Sequence, residues 1–180
     1  MLRSLIQAYL VAVGLGLIAA PAAAGKEFLT PDEILKLQDA QEIDKRIKIY
    51  MDAGALRLKT AEERLHGKES VAGDPLEFFT VQEMLEGYSR IMRSVMINLD
   101  EAAERPSTDR GKLNKALKDL KEGAEKAAKD LAIIKKISEE KKDEPVWNLS
   151  NQGLEIAEGA REGAETGLER FPVKTKSKKR

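Results

Sequence analysis

One histidine, no cysteine and five methionines in 180 residues narrow the chemistry this chain can carry. Without cysteine there is no disulfide scaffold, thiol nucleophile, Cys-rich zinc site, iron–sulfur cluster or c-type haem attachment. Any Ser-His triad must use His66. That residue is expected at the surface near a helix C-terminus, where partial positive charge is favourable, rather than as a metal ligand or proton shuttle. A di-metal site in a helical protein needs Glu-x-x-His on two helices, and the sequence has none. The acid pairs Glu62-Glu63, Asp100-Glu101 and Glu139-Glu140 read as solvated helix faces; acid–base catalysis needs carboxylates in a desolvated cleft. The Asp-x-Asp-x-Asp-Gly run of a calcium loop is absent. No catalytic set, metal site or cofactor is expected, and the chain is not expected to be an enzyme.

Two groups of residues remain as candidate contacts. Phe78, Phe79 and Trp147 are expected at the starts of the second and fourth helices. In an up-down arrangement those starts share one end, where the rings form a packed aromatic cap or a small-ligand pocket. Lys174, Lys176, Lys178, Lys179 and Arg180 make a basic tail with no acid. Such a tail can touch anionic lipid headgroups or polymers. Haem held without covalent attachment would need axial His or Met, and His66, Met51, Met84, Met92 and Met96 exist. Met84 and Met92 fall on an apolar stripe, however, where Met commonly fills core gaps.

The elements that would position these groups are helices. Outside the first two dozen residues the prolines are Pro31, Pro75, Pro106, Pro145 and Pro172. Each suits a helix start or a connection, since proline costs about 3 kcal/mol in a helix interior. They divide the chain into helices over about 31–66, 75–105, 108–142 and 145–170. Thr30-Pro31-Asp32-Glu33 reads as a capping box opening the first, and Asp74-Pro75-Leu76-Glu77 as one opening the second. Apolar residues recur at steps of three and four. They run Ala40, Ile43, Ile47, Tyr50 to Leu65 in the first segment and Val81, Leu85, Tyr88, Met92 to Ala102 in the second. The third stripe runs Leu113, Leu117, Leu120 to Ile134. The fourth helix is poorer, interrupted by Gly153, Gly159, Gly163 and Gly167. It either packs very closely through small residues or frays. No strand pattern is present. The expected architecture is all-α: an elongated up-down-up-down four-helix bundle over 25–171.

The N-terminus has a different composition. Arg3 precedes an apolar run of about 16 residues, Pro21 breaks it, and Ala22-Ala23-Ala24 places small residues before Gly25. That is the layout of a cleavable signal peptide over 1–24. The run falls short of the roughly 20 residues that span a bilayer, so cleavage is expected over an uncleaved anchor. Export to the periplasm or the exterior follows. The body, 25–171, carries 25 basic against 31 acidic residues, and the tail, 172–180, is expected to be disordered. An acidic body argues against specific nucleic-acid binding. The reading is an exported, non-catalytic binding or structural module with an unknown protein or envelope partner; the alternative is a periplasmic bundle that holds a small ligand or haem. Exported protein should begin at Ala23 or Gly25 on N-terminal sequencing, and a chain beginning at Met1 would instead identify an anchor.

Overall fold

The structure is a computed structural model and describes residues 27–172. The expected signal peptide and the five tail cations lie outside the described residues. Within them the chain is all-α, with five helices and no strand. They are α1 (Pro31–Asp39), α2 (Ile43–Leu65), α3 (Val81–Glu104), α4 (Arg110–Lys141) and α5 (Glu144–Arg170).

Five helices replace the expected four because the first segment breaks. Ala40 adopts an extended conformation (φ −81°, ψ 104°) and α1 stops there. No proline or glycine marks the break. It is held by Arg46, whose Nη1 donates to the carbonyls of Leu37 (2.7 Å) and Ala40 (3.3 Å). Those terminal carbonyls lack intrahelical partners, so a guanidinium can substitute for the missing turn. The chain then reverses, and α1 lies back along α2, which puts Glu33 against Arg57.

The start of the second long helix also moves. Asp74-Pro75-Leu76-Glu77 forms turns instead of a helix N-terminus, and α3 begins at Val81. The capping box belongs to Thr80 and Glu83: Thr80 Oγ1 accepts from the Glu83 N–H (3.1 Å), and Glu83 Oε2 accepts from the Thr80 N–H (2.7 Å). Upstream, Asp74 Oδ1 accepts from the Leu76 N–H (2.7 Å) and Glu77 Oε2 from the Gly73 N–H (2.9 Å). Arg64 Nη2 donates to the carbonyls of Leu76 and Glu77. The side chains that could have capped a helix close a loop, and they bury Leu76 completely.

Helix direction alternates along the chain, but spatial order does not follow sequence order. The N-terminus of α4 pairs with that of α2 through Lys112–Glu42 and Lys115–Asp44. The C-terminus of α4 meets that of α2 where Lys141 Nζ donates to the Leu65 carbonyl. These two helices are therefore parallel neighbours. Around the core the order is α2, α3, α5, α4, and the 105–109 connection crosses the diagonal. The expected stripes face inward: Ile47, Leu58, Leu85, Tyr88, Met92, Leu113, Leu120, Leu131 and Ile134 are all essentially inaccessible.

The glycine-rich α5 packs closely. Its buried seam is Val146, Ser150, Gly153, Ala157, Ala160 and Ala164, spaced alternately by four and three. A β-carbon on Gly153 would lie 2.9 Å from Leu131 Cδ2, and one on Gly167 would lie 2.9 Å from Leu117 Cδ2. Leucines on α4 occupy the space that α5 leaves. Gly159 and Gly163 face open space and serve no such contact. The two classes of glycine should therefore respond oppositely to alanine. Gly159→Ala should raise stability by about 0.5–1 kcal/mol through helix propensity. Gly153→Ala forces the enclosed Leu131 to move and should lower stability by about 1–3 kcal/mol. Thermal melts of the two variants read the sign directly.

Candidate functional site

The chemistry-bearing residues fall into three places. His66 is exposed and caps the C-terminus of α2, its N–H bonded to the Glu62 carbonyl (3.0 Å). Among the described residues no group of three His, Cys, Asp or Glu side chains is placed to hold a metal. Met84 and Met92 are fully buried, whereas Met51 and Met96 are half-buried.

Phe78, Phe79 and Trp147 lie toward one end of the molecule. The starts of α3 and α5 both adjoin the end where α2 and α4 terminate. Phe78 is 78% exposed, Phe79 packs partly against the core, and Trp147 is half-buried. Lys135 Nζ sits 4.7 Å from the Trp147 ring centroid, a cation–π distance. One face of the indole is thus occupied by a cation from the same chain.

The most buried charge is one the sequence did not single out. Arg57 is 0% exposed and Glu33 8%. Arg57 Nη1 donates to Glu33 Oε1 (2.9 Å), and Nη2 donates to Oε2 (2.8 Å). The guanidinium also donates to the carbonyls of Ala53 (2.8 Å) and Phe28 (2.6 Å). Glu33 closes its own capping box by accepting from the Thr30 N–H at 2.7 Å. A β-carbon on Gly87 would stand 3.2 Å from Arg57 Nε, so a glycine on α3 makes the room. Arg57 was invisible on the expected stripe because it lies beside it, and only its occurrence within an otherwise buried helix face hinted at a partner. Burial raises the Glu33 carboxyl pKa, but Arg57 and the Thr30 N–H outweigh burial and hold it below the ordinary value.

The third place is a groove between α2 and α4 of about 550 Å³. Polar rungs bound it near each end of the helix pair. Lys112 and then Lys45 hold the Glu42 carboxyl at about 2, and Lys115 Nζ bonds Asp44 Oδ2 at 2.8 Å. In the middle the helices meet through Met51 lying on Gly123, where a β-carbon would strike the Met51 methyl. Tyr88 of α3 lines the groove from the core side. It is 1% exposed, and its hydroxyl has no hydrogen-bond partner among the described residues. An unsatisfied buried hydroxyl costs about 1–3 kcal/mol. Burial, with Asp130 nearby, raises its pKa, so it stays protonated. The sequence marked Tyr88 as core and gave no sign of an orphan hydroxyl.

No protein-family model, curated protein or solved structure matches this chain. The three sites therefore rest on their own geometry.

Arg57→Leu should cost about 3–5 kcal/mol, because it strands a buried carboxylate. Urea unfolding measures this. The Glu33 carboxyl has a depressed pKa in the fold, so its stabilisation is complete above the ordinary value of 4.5 and is lost as pH falls through the folded value. Glu33→Gln should flatten that part of the acid limb of the stability curve.

Proposed function

We propose that this chain is an exported protein that acts without catalysis, as a binding or structural interaction module of the cell envelope or the extracellular space. The four long helices form an elongated up-down-up-down bundle, α1 straps across it, and a cleaved leader precedes it. What carries this reading is where the buried charges go. Glu33 and Arg57 face each other and the backbone around residues 28–30. Asp44 faces Lys115. Each of these charges faces an opposite charge on another helix or on the strap. No helix of the described residues is long and apolar enough to cross a membrane.

The basic tail supplies the envelope contact in this reading. Lys174, Lys176, Lys178, Lys179 and Arg180 set five positive charges against an acidic body. Near an anionic bilayer each contributes about 1 kcal/mol, whereas surface ion pairs in general contribute about 0–1 kcal/mol and are screened by salt.

A second reading has one specific observation in its favour. The α2–α4 groove, with the orphan Tyr88 hydroxyl on its core side, suits a small-ligand-binding protein. Its volume lies in the range of about 300–1,000 Å³ common for such sites.

The described fold closes on Phe171. Phe171 is tied in by Asn114 Nδ2, which donates to its carbonyl at 3.0 Å, and by Arg110 at 4.7 Å from its ring, while Pro172 is exposed. Deletion of 172–180 should therefore leave the melting temperature unchanged. The same deletion should abolish binding to vesicles of anionic phosphatidylglycerol at low salt. Full-length protein that ignores such vesicles would overturn the envelope-contact reading.

A further inference from the structure

We propose that the groove between α2 and α4 binds a small amphipathic organic amine, its apolar body on Met51, Ala55 and Ala127 and its ammonium group between Tyr88 and Asp130. This rests on the small-ligand reading above and assigns the ligand its charge. Two of the three rim lysines are already engaged: Lys48 with Asp52 at 3.0 Å and Lys115 with Asp44 at 2.8 Å. Among the described residues that leaves Glu122 and Asp130 as rim carboxylates without a salt-bridge partner, beside Lys126, while Asp119 stands near Lys115, which itself bonds Asp44. The unpaired rim is therefore negative, which favours a cation and disfavours an anion.

Tyr88 provides the second, independent pointer. Its side chain is almost wholly enclosed, yet its hydroxyl lacks a partner. The hydroxyl retains its proton because burial and then Asp130 raise its pKa. A neutral phenol has lone pairs to accept an ammonium N–H. Access runs past Met51. Its thioether reaches across to Gly123, whose missing side chain leaves that space to the methyl. Methionine is flexible enough to yield that position to a ligand, while the paired rungs near the ends keep α2 and α4 in place. Gly54 lets the Tyr88 ring lie against α2, with a β-carbon there 3.4 Å from the ring.

The full chain, labelled with ¹³C at the methionine methyls, can be titrated with tryptamine at low ionic strength and compared with its neutral counterpart indole-3-ethanol. The Met51 methyl resonance should shift with tryptamine, while that of Met84, fully buried and away from the groove, should not. Tryptamine should bind about tenfold more tightly than the alcohol, the ratio expected of one charge-assisted contact. Tyr88→Phe removes only the unpartnered hydroxyl, and it and Asp130→Asn should each weaken tryptamine several-fold with the helical circular dichroism unchanged. Equal affinity for the amine and the alcohol, with the Met51 shift retained, overturns the cationic class but leaves the small-ligand reading standing. A Met51 methyl that both compounds leave unmoved up to about 5 mM overturns the site and that reading together. Tryptamine binding that neither variant weakens overturns the placement of the ammonium group.

Discussion

A guanidinium enclosed between helices must have its charge and most of its donors met, or the fold loses several kcal/mol. Arg57 imposes that requirement here. Its one carboxylate partner, Glu33, lies 24 positions earlier, and the Phe28 carbonyl lies earlier still. No continuous helix over that stretch can satisfy it, because 24 residues of helix would put the two groups about 36 Å apart. The chain must bend between them. It does so at Ala40, where Arg46 takes over the carbonyls that the break exposes. Gly87 on α3 admits the guanidinium. The break, the strap and the glycine are three consequences of one buried charge.

The two faces of α4 show how side-chain size sets helix spacing. Toward α5, leucines on α4 meet glycines and alanines, and the helices come close enough that an added methyl group would collide. Toward α2, charged rungs tie the helices near the ends, and Met51 lies on Gly123 in the middle. Close packing on one side therefore coexists with an open groove on the other. Rigid interdigitation holds α4 in place, and that leaves its opposite face free to carry a space that the core does not fill.

Much of the fold was legible in the apolar stripes. Residues at steps of three and four from Ile47 to Leu65, Leu85 to Ala102 and Leu113 to Ile134 are the ones that face inward. Burial of apolar surface is local in its sequence signature, so periodicity reports it faithfully. What periodicity cannot report is a long-range polar pairing. Arg57 and Glu33 each look like ordinary helix-surface residues, and only their meeting breaks the first segment in two. The Asp74-Pro75-Leu76-Glu77 segment forms turns instead of a helix start for a related reason. Its side-chain geometry suits a turn as well as a helix start, and Arg64 decides the matter from another element. Spatial order was also beyond the stripes, since each helix shows an apolar face without showing which neighbour will cover it.

The same limit explains why the candidate groove was hidden. Tyr88 sits in register with Leu85, Met92 and Val95 on the α3 stripe, and a tyrosine there reads as core. Whether its hydroxyl finds a partner depends on what crosses the bundle from it. If α4 lay beside α3, as sequence order suggests, polar residues of a neighbouring helix could meet the hydroxyl. Because the 105–109 connection crosses the diagonal, the ring instead points toward the seam between two parallel helices that are not consecutive in sequence. The polar rungs between these helices lie near the termini, and Met51, Gly54 and Gly123 line the middle of the seam. The orphan hydroxyl and the open seam are therefore one feature, and both come from the diagonal crossing.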